Sequence, residues 1–193
     1  MAGKGLAEDP KKGAKTHARI AFVDESGVSE RPSVRRTWAP KGQTPVITSS
    51  GSWTVRSVIG VLTSTPTGRN PRFYLWIVRR AVRKEDEVRF LRAFRKHERG
   101  KVILLWDNLG AHKAKIVREE AATQKLALEY FPPYAPELNP VEYVWATGKN
   151  HDLANIYPEG LAKLDKHIRR MQRRLERRAD LLAGFLRKSS LFG

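Results

Sequence analysis

Residues 101–108 read Lys101-Val102-Ile103-Leu104-Leu105-Trp106-Asp107-Asn108. Five consecutive apolar side chains leave no polar face, the pattern of a strand covered on both sides. Such strands sit in sheets with helices packed on them, so this stretch points to an α/β architecture. It stops at an acidic residue, Asp107, where loops outside a strand end commonly carry functional groups.

Working outward, Val88, Leu91 and Phe94 recur at helical spacing between Glu85 and Glu98, and Gly100 stops that helix. Downstream, Lys113–Gln124 suits a short helix and Leu126–Phe131 a strand. Pro132-Pro133-Tyr134-Ala135-Pro136 then forces an extended loop, because proline lacks the helical donor and restricts its predecessor. Asn139-Pro140 restarts a helix, with asparagine as N-cap and proline in the first turn.

Toward the N-terminus, Ala18–Val23 reads as a strand ended by the turn residues Asp24-Glu25-Ser26-Gly27. Val34–Trp38 is expected as a second strand closed by a Pro/Gly cluster at 39–45, followed by strands at Trp53–Thr63 and Arg72–Val78. Leu161, Leu164, Ile168, Met171, Leu175, Leu182 and Leu186 form the stripe of a C-terminal amphipathic helix, with a break expected near Ala179-Asp180. The expected organisation is a disordered basic arm over 1–17, one α/β domain over 18–155 with a mixed sheet, and a basic amphipathic helix over 156–193 packed on it.

Lysine and arginine number 37 against 20 acidic residues, a formal charge of +17. That imbalance attracts polyanions, and nucleic acid is the expected partner, with an anionic membrane surface as the rival. Cysteine is absent, which excludes disulfides, thiolate metal sites and a cysteine nucleophile. No signal-peptide core or bilayer-spanning run of about 20 apolar residues is visible. A soluble, cytoplasmic and nucleoid-associated protein is expected.

Asp24, Asp107 and Glu142 lie at two strand ends and in the first turn of the helix opened by Asn139. If they converge, two such charges about 4 Å apart repel by about 4 kcal/mol at an effective dielectric of 20. A cation must then compensate them, and oxygen-only ligands suit a hard divalent ion such as Mg²⁺ or Mn²⁺. Each acid alone has an ordinary reading, as a turn former or, for Glu142, a partner of the helix dipole. On a strand, Glu25 points to the face opposite Asp24, which leaves Asp24 as the candidate ligand.

Four motifs in order, Phe22–Gly27 (FVDESG), Arg35–Pro45 (RRTWAPKGQTP), Leu104–Ala114 (LLWDNLGAHKA) and Tyr130–Trp145 (YFPPYAPELNPVEYVW), resemble the catalytic domain of mariner-superfamily transposases, especially the bacterial insertion-sequence branch. The 34 residues between Asp107 and Glu142 match that family's spacing. The resemblance spans about residues 18–155 and implies a ribonuclease H-like fold with a five-stranded mixed sheet flanked by helices. It implies a DDE site with two Mg²⁺ or Mn²⁺ ions, Asp24 bridging both and Asp107 and Glu142 each completing one shell. It further implies phosphodiester hydrolysis at transposon ends and attack of the freed 3′-hydroxyl on target DNA. A homodimer on DNA is implied as well.

Asn108 and His112 match the signature around the second acid, either supporting the site or serving as turn former and helix cap. Arg35, Arg36 and Lys41 are candidate DNA contacts, as are Arg169, Arg170, Arg173, Arg174, Arg177 and Arg178, with a solvated basic face as the alternative. Gly148 departs from the family pattern and is expected to weaken the helix carrying Glu142 by about 1 kcal/mol relative to alanine. Helix-turn-helix modules normally precede this domain, so a separate subunit from an upstream frame is expected. Alternatives are a catalytically silent or truncated DNA-binding relic, and a glycan hydrolase using two of the acids.

Overall fold

In the computed structural model, which describes residues 17–31, 33–46, 54–189 and 191–192, the apolar run at 102–106 is strand β4 (Val102–Trp106), buried throughout. It lies between two parallel neighbours, β1 (Arg19–Ser29) and β5 (Leu126–Tyr130). Strands β2 (Val55–Ser64) and β3 (Arg72–Val78) extend the sheet antiparallel beyond β1, in the order β3-β2-β1-β4-β5. This is the expected five-stranded mixed sheet.

Successive side chains of a strand alternate between faces, and each face of β4 has its own core. Leu104 and Trp106 pack with Leu91 and Phe94 of helix α1 (Lys84–His97) and Val117 of α2 (Lys115–Thr123). Ile103 and Leu105 share the opposite core with Val144 of α3 (Pro140–Thr147), Ile168 of α4 (Leu161–Glu176) and Leu182 of α5 (Ala179–Lys188). Two apolar faces explain why the stretch reads without alternation.

Two expectations need correction. Strand β1 does not end at Asp24 but continues to Ser29, held by β2 down to the pair Ser29↔Val55. Val34–Trp38 forms no strand: Val34 is 75% and Trp38 100% exposed, and Ser33 makes an isolated bridge to Ala154. The segment instead runs over the surface, held to the chain after α3 by Asn155, whose Oδ1 accepts from Arg35 N and whose Nδ2 donates to the Arg35 carbonyl. The C-terminal stripe is broken close to the expected point, into α4 and α5 separated at Arg177-Arg178. Its leucines reach the same core from both helices. Residues 1–16 of the expected arm and Trp53 lie outside the described residues.

Gly148 has a different role from the one expected. Helix α3 closes at Thr147 and passes into a wide π-type turn, Gly148–Asp152. A Cβ on Gly148 would stand 2.3 Å from Sδ of Met171, which is 1% exposed on α4. The glycine therefore lets α4 approach this turn closely, and Glu142, a turn and a half earlier, keeps its helical frame. Gly148→Ala should cost about 1–3 kcal/mol through overpacking, read as a lower urea midpoint with an unchanged slope. An unchanged midpoint would mean that Met171 has room to move.

Candidate active site

Strand β1 pairs with β4 in the register Phe22↔Leu105. That is the last pair between the two strands, and Asp24 and Asp107 each follow it by two residues, so both acids leave the same end of the sheet. Asp24, still on β1, shares the parity of Phe22 and so faces the core that holds α3. Asn139 brings α3 to them: its Nδ2 donates to the Val23 carbonyl at 3.1 Å, while its Oδ1 accepts from Val141 N at 3.2 Å. One buried side chain thus caps the helix and fastens it to β1 beside Asp24. Glu142 follows three residues later, and Asp24, Asp107 and Glu142 line one cleft of about 650 Å³.

The two aspartates are held alike. Trp145, three residues beyond Glu142 on α3, donates its indole N–H to Asp24 Oδ2 at 2.8 Å. Leu109 N donates to Asp107 Oδ1 at 2.9 Å, and His112 Nε2 lies 3.0 Å from that same oxygen. Each aspartate thereby has one anchored oxygen and a second with no protein partner among the described residues. Room for the indole comes from Gly60, which opposes Asp24 across the β1–β2 pair. A Cβ there would fall 2.6 Å from the Trp145 ring. Neither Trp145 nor Gly60 was singled out from the sequence, although the spacing from Glu142 to Trp145 puts both on one helix face.

Burial, then the charge of Glu142, push the Asp24 carboxyl up to about 7, against the Trp145 hydrogen bond, with smaller contributions from Glu25 and Asp107. Negative charge is therefore in excess here. Lys113 is the one cationic residue among the described residues lining the cleft, with its Nζ 5.3 Å from the centre of the Tyr130 ring. Asn108 also lines it and donates from Nδ2 to the Phe131 carbonyl at 3.2 Å.

Glu25 points to the other face, as alternation requires. There Trp106 Nε1 donates to Glu25 Oε1 at 3.1 Å, and His112 stacks on the Trp106 ring with centroids 4.3 Å apart. His112, 2% exposed, has Nδ1 3.1 Å from Glu87 Oε1 and Nε2 3.4 Å from Glu25 Oε2. Burial disfavours the charged ring, yet Glu25 and Glu87 outweigh it and raise His112 to about 10. Glu25, Asp107 and His112 place ligand atoms within 4.8 Å of one another. With Glu87 on its other nitrogen, His112 ties this group into an ion-pair network behind Asp107.

The basic candidates lie elsewhere. Arg35 is pinned through its backbone N to Asn155 Oδ1 at 2.8 Å and through its guanidinium to Asn150. Arg36 and Lys41 are exposed, as is Arg169. Arg170, Arg173, Arg174, Arg177 and Arg178 line a second cleft and not the carboxylate one.

A family described as DDE superfamily endonuclease matches residues 19–164. Comparison with curated proteins gives no match. Among solved structures, the chain is similar to the catalytic domain of Mos1 mariner transposase, with a TM-score of 0.61 and 14% identity over 100% of this chain and 92% of that one. It is similar to the Mos1 strand transfer complex (TM-score 0.60, 17% identity, 95% of this chain, 58% of that chain). It is also similar to the Mos1 mariner paired end complex with Mn (TM-score 0.61, 17% identity, 100% and 60%). The fold is therefore the ribonuclease H-like one, and the chain spans about three fifths of the length of the Mos1 chains in those two complexes.

Asp24 yields a pH prediction. Its pKa is about 7 in the fold against an ordinary 3.8, so the native state retains a proton that the unfolded chain has released between those values. Stability contributed at this position falls as pH rises through that window. In chelator, Asp24→Asn should match the wild-type melting temperature near pH 4 and exceed it at pH 8. Equal melting temperatures at pH 8 would contradict the crowding of negative charge.

Proposed function

The chain belongs to the DDE superfamily of endonucleases, and from that premise we propose that it is the catalytic domain of a mariner-superfamily transposase of the insertion-sequence branch. The observation that carries this reading is the pair of aspartates, each with one oxygen anchored, lining one cleft with Glu142. The donor set fits divalent cations: three carboxylates, no thiolate, a histidine already charged, and an aspartate raised to about 7 by burial and like charge.

In this reading Asp24, Asp107 and Glu142 hold two Mg²⁺ or Mn²⁺ ions. Bound there, the ions supply activation of the attacking oxygen and charge neutralisation at the leaving one. The chain's own residues do the positioning. Trp145 and Asn139 fix Asp24 and the start of α3, and Leu109 N with His112 fixes Asp107. Lys113 adds positive charge for a phosphodiester at the cleft edge. The substrate is DNA, cut at transposon ends and joined through the freed 3′-hydroxyl to target DNA, by a homodimer. End recognition falls to a helix-turn-helix module outside the fold described, on the same polypeptide or on a separate subunit.

A nicking assay on transposon-end duplex with Mg²⁺, Mn²⁺ or EDTA tests the assignment. Asp24→Asn, Asp107→Asn and Glu142→Gln should each reduce cleavage to the chelator background without weakening DNA binding. Trp145→Phe keeps an aromatic side chain, though a smaller one, but loses the hydrogen bond, and should cost roughly 10–100-fold, the usual effect of removing a partner behind a metal ligand. Near-wild-type cleavage by any of the three carboxylate variants would remove that residue from the ligand set. DNA binding with no metal-dependent nicking by the wild type would identify a silent relic.

A further inference from the structure

The second cleft, about 680 Å³, lies between α4 and the chain following α3. Arg170, Arg173, Arg174 and Arg177 recur at helical spacing, opposite the buried stripe Leu164, Ile168, Met171 and Leu175. Asp152, from the π-type turn, takes Arg174 in a two-point ion pair (2.5 and 2.6 Å) that braces the cleft floor. Arg178 is similarly held by Asp180. Arg170, Arg173 and Arg177 are exposed and have no ion-pair partner among the described residues. The cleft therefore presents about three uncompensated guanidinium groups on a rigid helix. The wall at 150–155 also receives Arg35, bonded to Asn150 and Asn155, and extends the positive surface.

We infer that this cleft is a second phosphate-binding site, which holds the backbone of duplex DNA while a neighbouring stretch lies at the carboxylates. The inference rests on the transposase reading and adds a path for the DNA. Glu142 and Asp152 are joined by one continuous helical segment, α3 and its π-type turn. Ten residues at about 1.5 Å each separate the two by roughly 15 Å. Guanidinium suits the task because its planar fork pairs with phosphate oxygens at two points. None of these arginines lines the carboxylate cleft, so the site contributes binding without touching the reacting atoms.

The test compares the wild-type chain with the triple variant Arg170→Ala/Arg173→Ala/Arg177→Ala, binding a 30-base-pair transposon-end duplex across a salt series in EDTA. The variant should bind at least about tenfold more weakly at low salt. The slope of log affinity against log salt should be shallower by about 3, one for each lost phosphate contact. Cleavage at saturating DNA should keep its kcat while KM rises. Arginine-to-lysine changes at the three positions should restore most of the slope, which a merely structural role would not predict. Affinity and slope equal to wild type would overturn the inference alone, as would weaker binding with an unchanged slope. If the wild type fails to bind duplex at all, the transposase reading falls and takes the inference with it.

Discussion

The parallel register of β1 on β4 is the constraint from which the site follows. Pairing Phe22 with Leu105 fixes the parity of everything beyond them. Asp24 emerges on the α3 face and lines one cleft with Asp107, while Glu25 and Trp106 emerge on the other. A slip of one residue would exchange the faces and bury the wrong acid. Two apolar cores, one on each side of the sheet, oppose such a slip, because Ile20 and Phe22 would exchange faces with Ala21 and Val23, and Arg19 would leave Thr63 and Glu98. The same cores that stabilise the sheet therefore select the acid presented to the cleft.

Charge is arranged in two opposed layers about this register. On the cleft side, burial and then the charge of Glu142 raise the Asp24 carboxyl to about 7. Behind the sheet, Glu25 and Glu87 surround a buried His112 and keep it charged. That imidazolium reaches through to Asp107, which therefore belongs to both layers. The arrangement leaves the cleft short of positive charge while the aspartates are already immobilised, so a divalent cation would find ligands that require little reordering.

Much of this was legible in the sequence because it depends on local rules. The uniform KVILLW run marked a central strand, Asn139-Pro140 marked a helix start, and strand alternation separated Asp24 from Glu25. What escaped depends on partners far along the chain. Val34–Trp38 has strand-like composition, but its bonds go to Asn150 and Asn155, more than a hundred residues away, and not to a strand. Gly60 and Gly148 read as unremarkable glycines until Trp145 and Met171 are brought against them. His112 could be noticed as a motif residue, whereas its two glutamate partners come from β1 and α1. Even the length of β1 was set by β2 rather than by the turn-like composition of Asp24–Gly27.

Calorimetric Mn²⁺ titration of the wild type, Asp24→Asn and Glu25→Gln most directly tests which face carries the metal. The account predicts that Asp24→Asn loses Mn²⁺ binding, while Glu25→Gln, on the ion-pair side, retains the wild-type stoichiometry. Binding that survives Asp24→Asn but disappears in Glu25→Gln would place the metal in the His112 network instead, and would contradict the account.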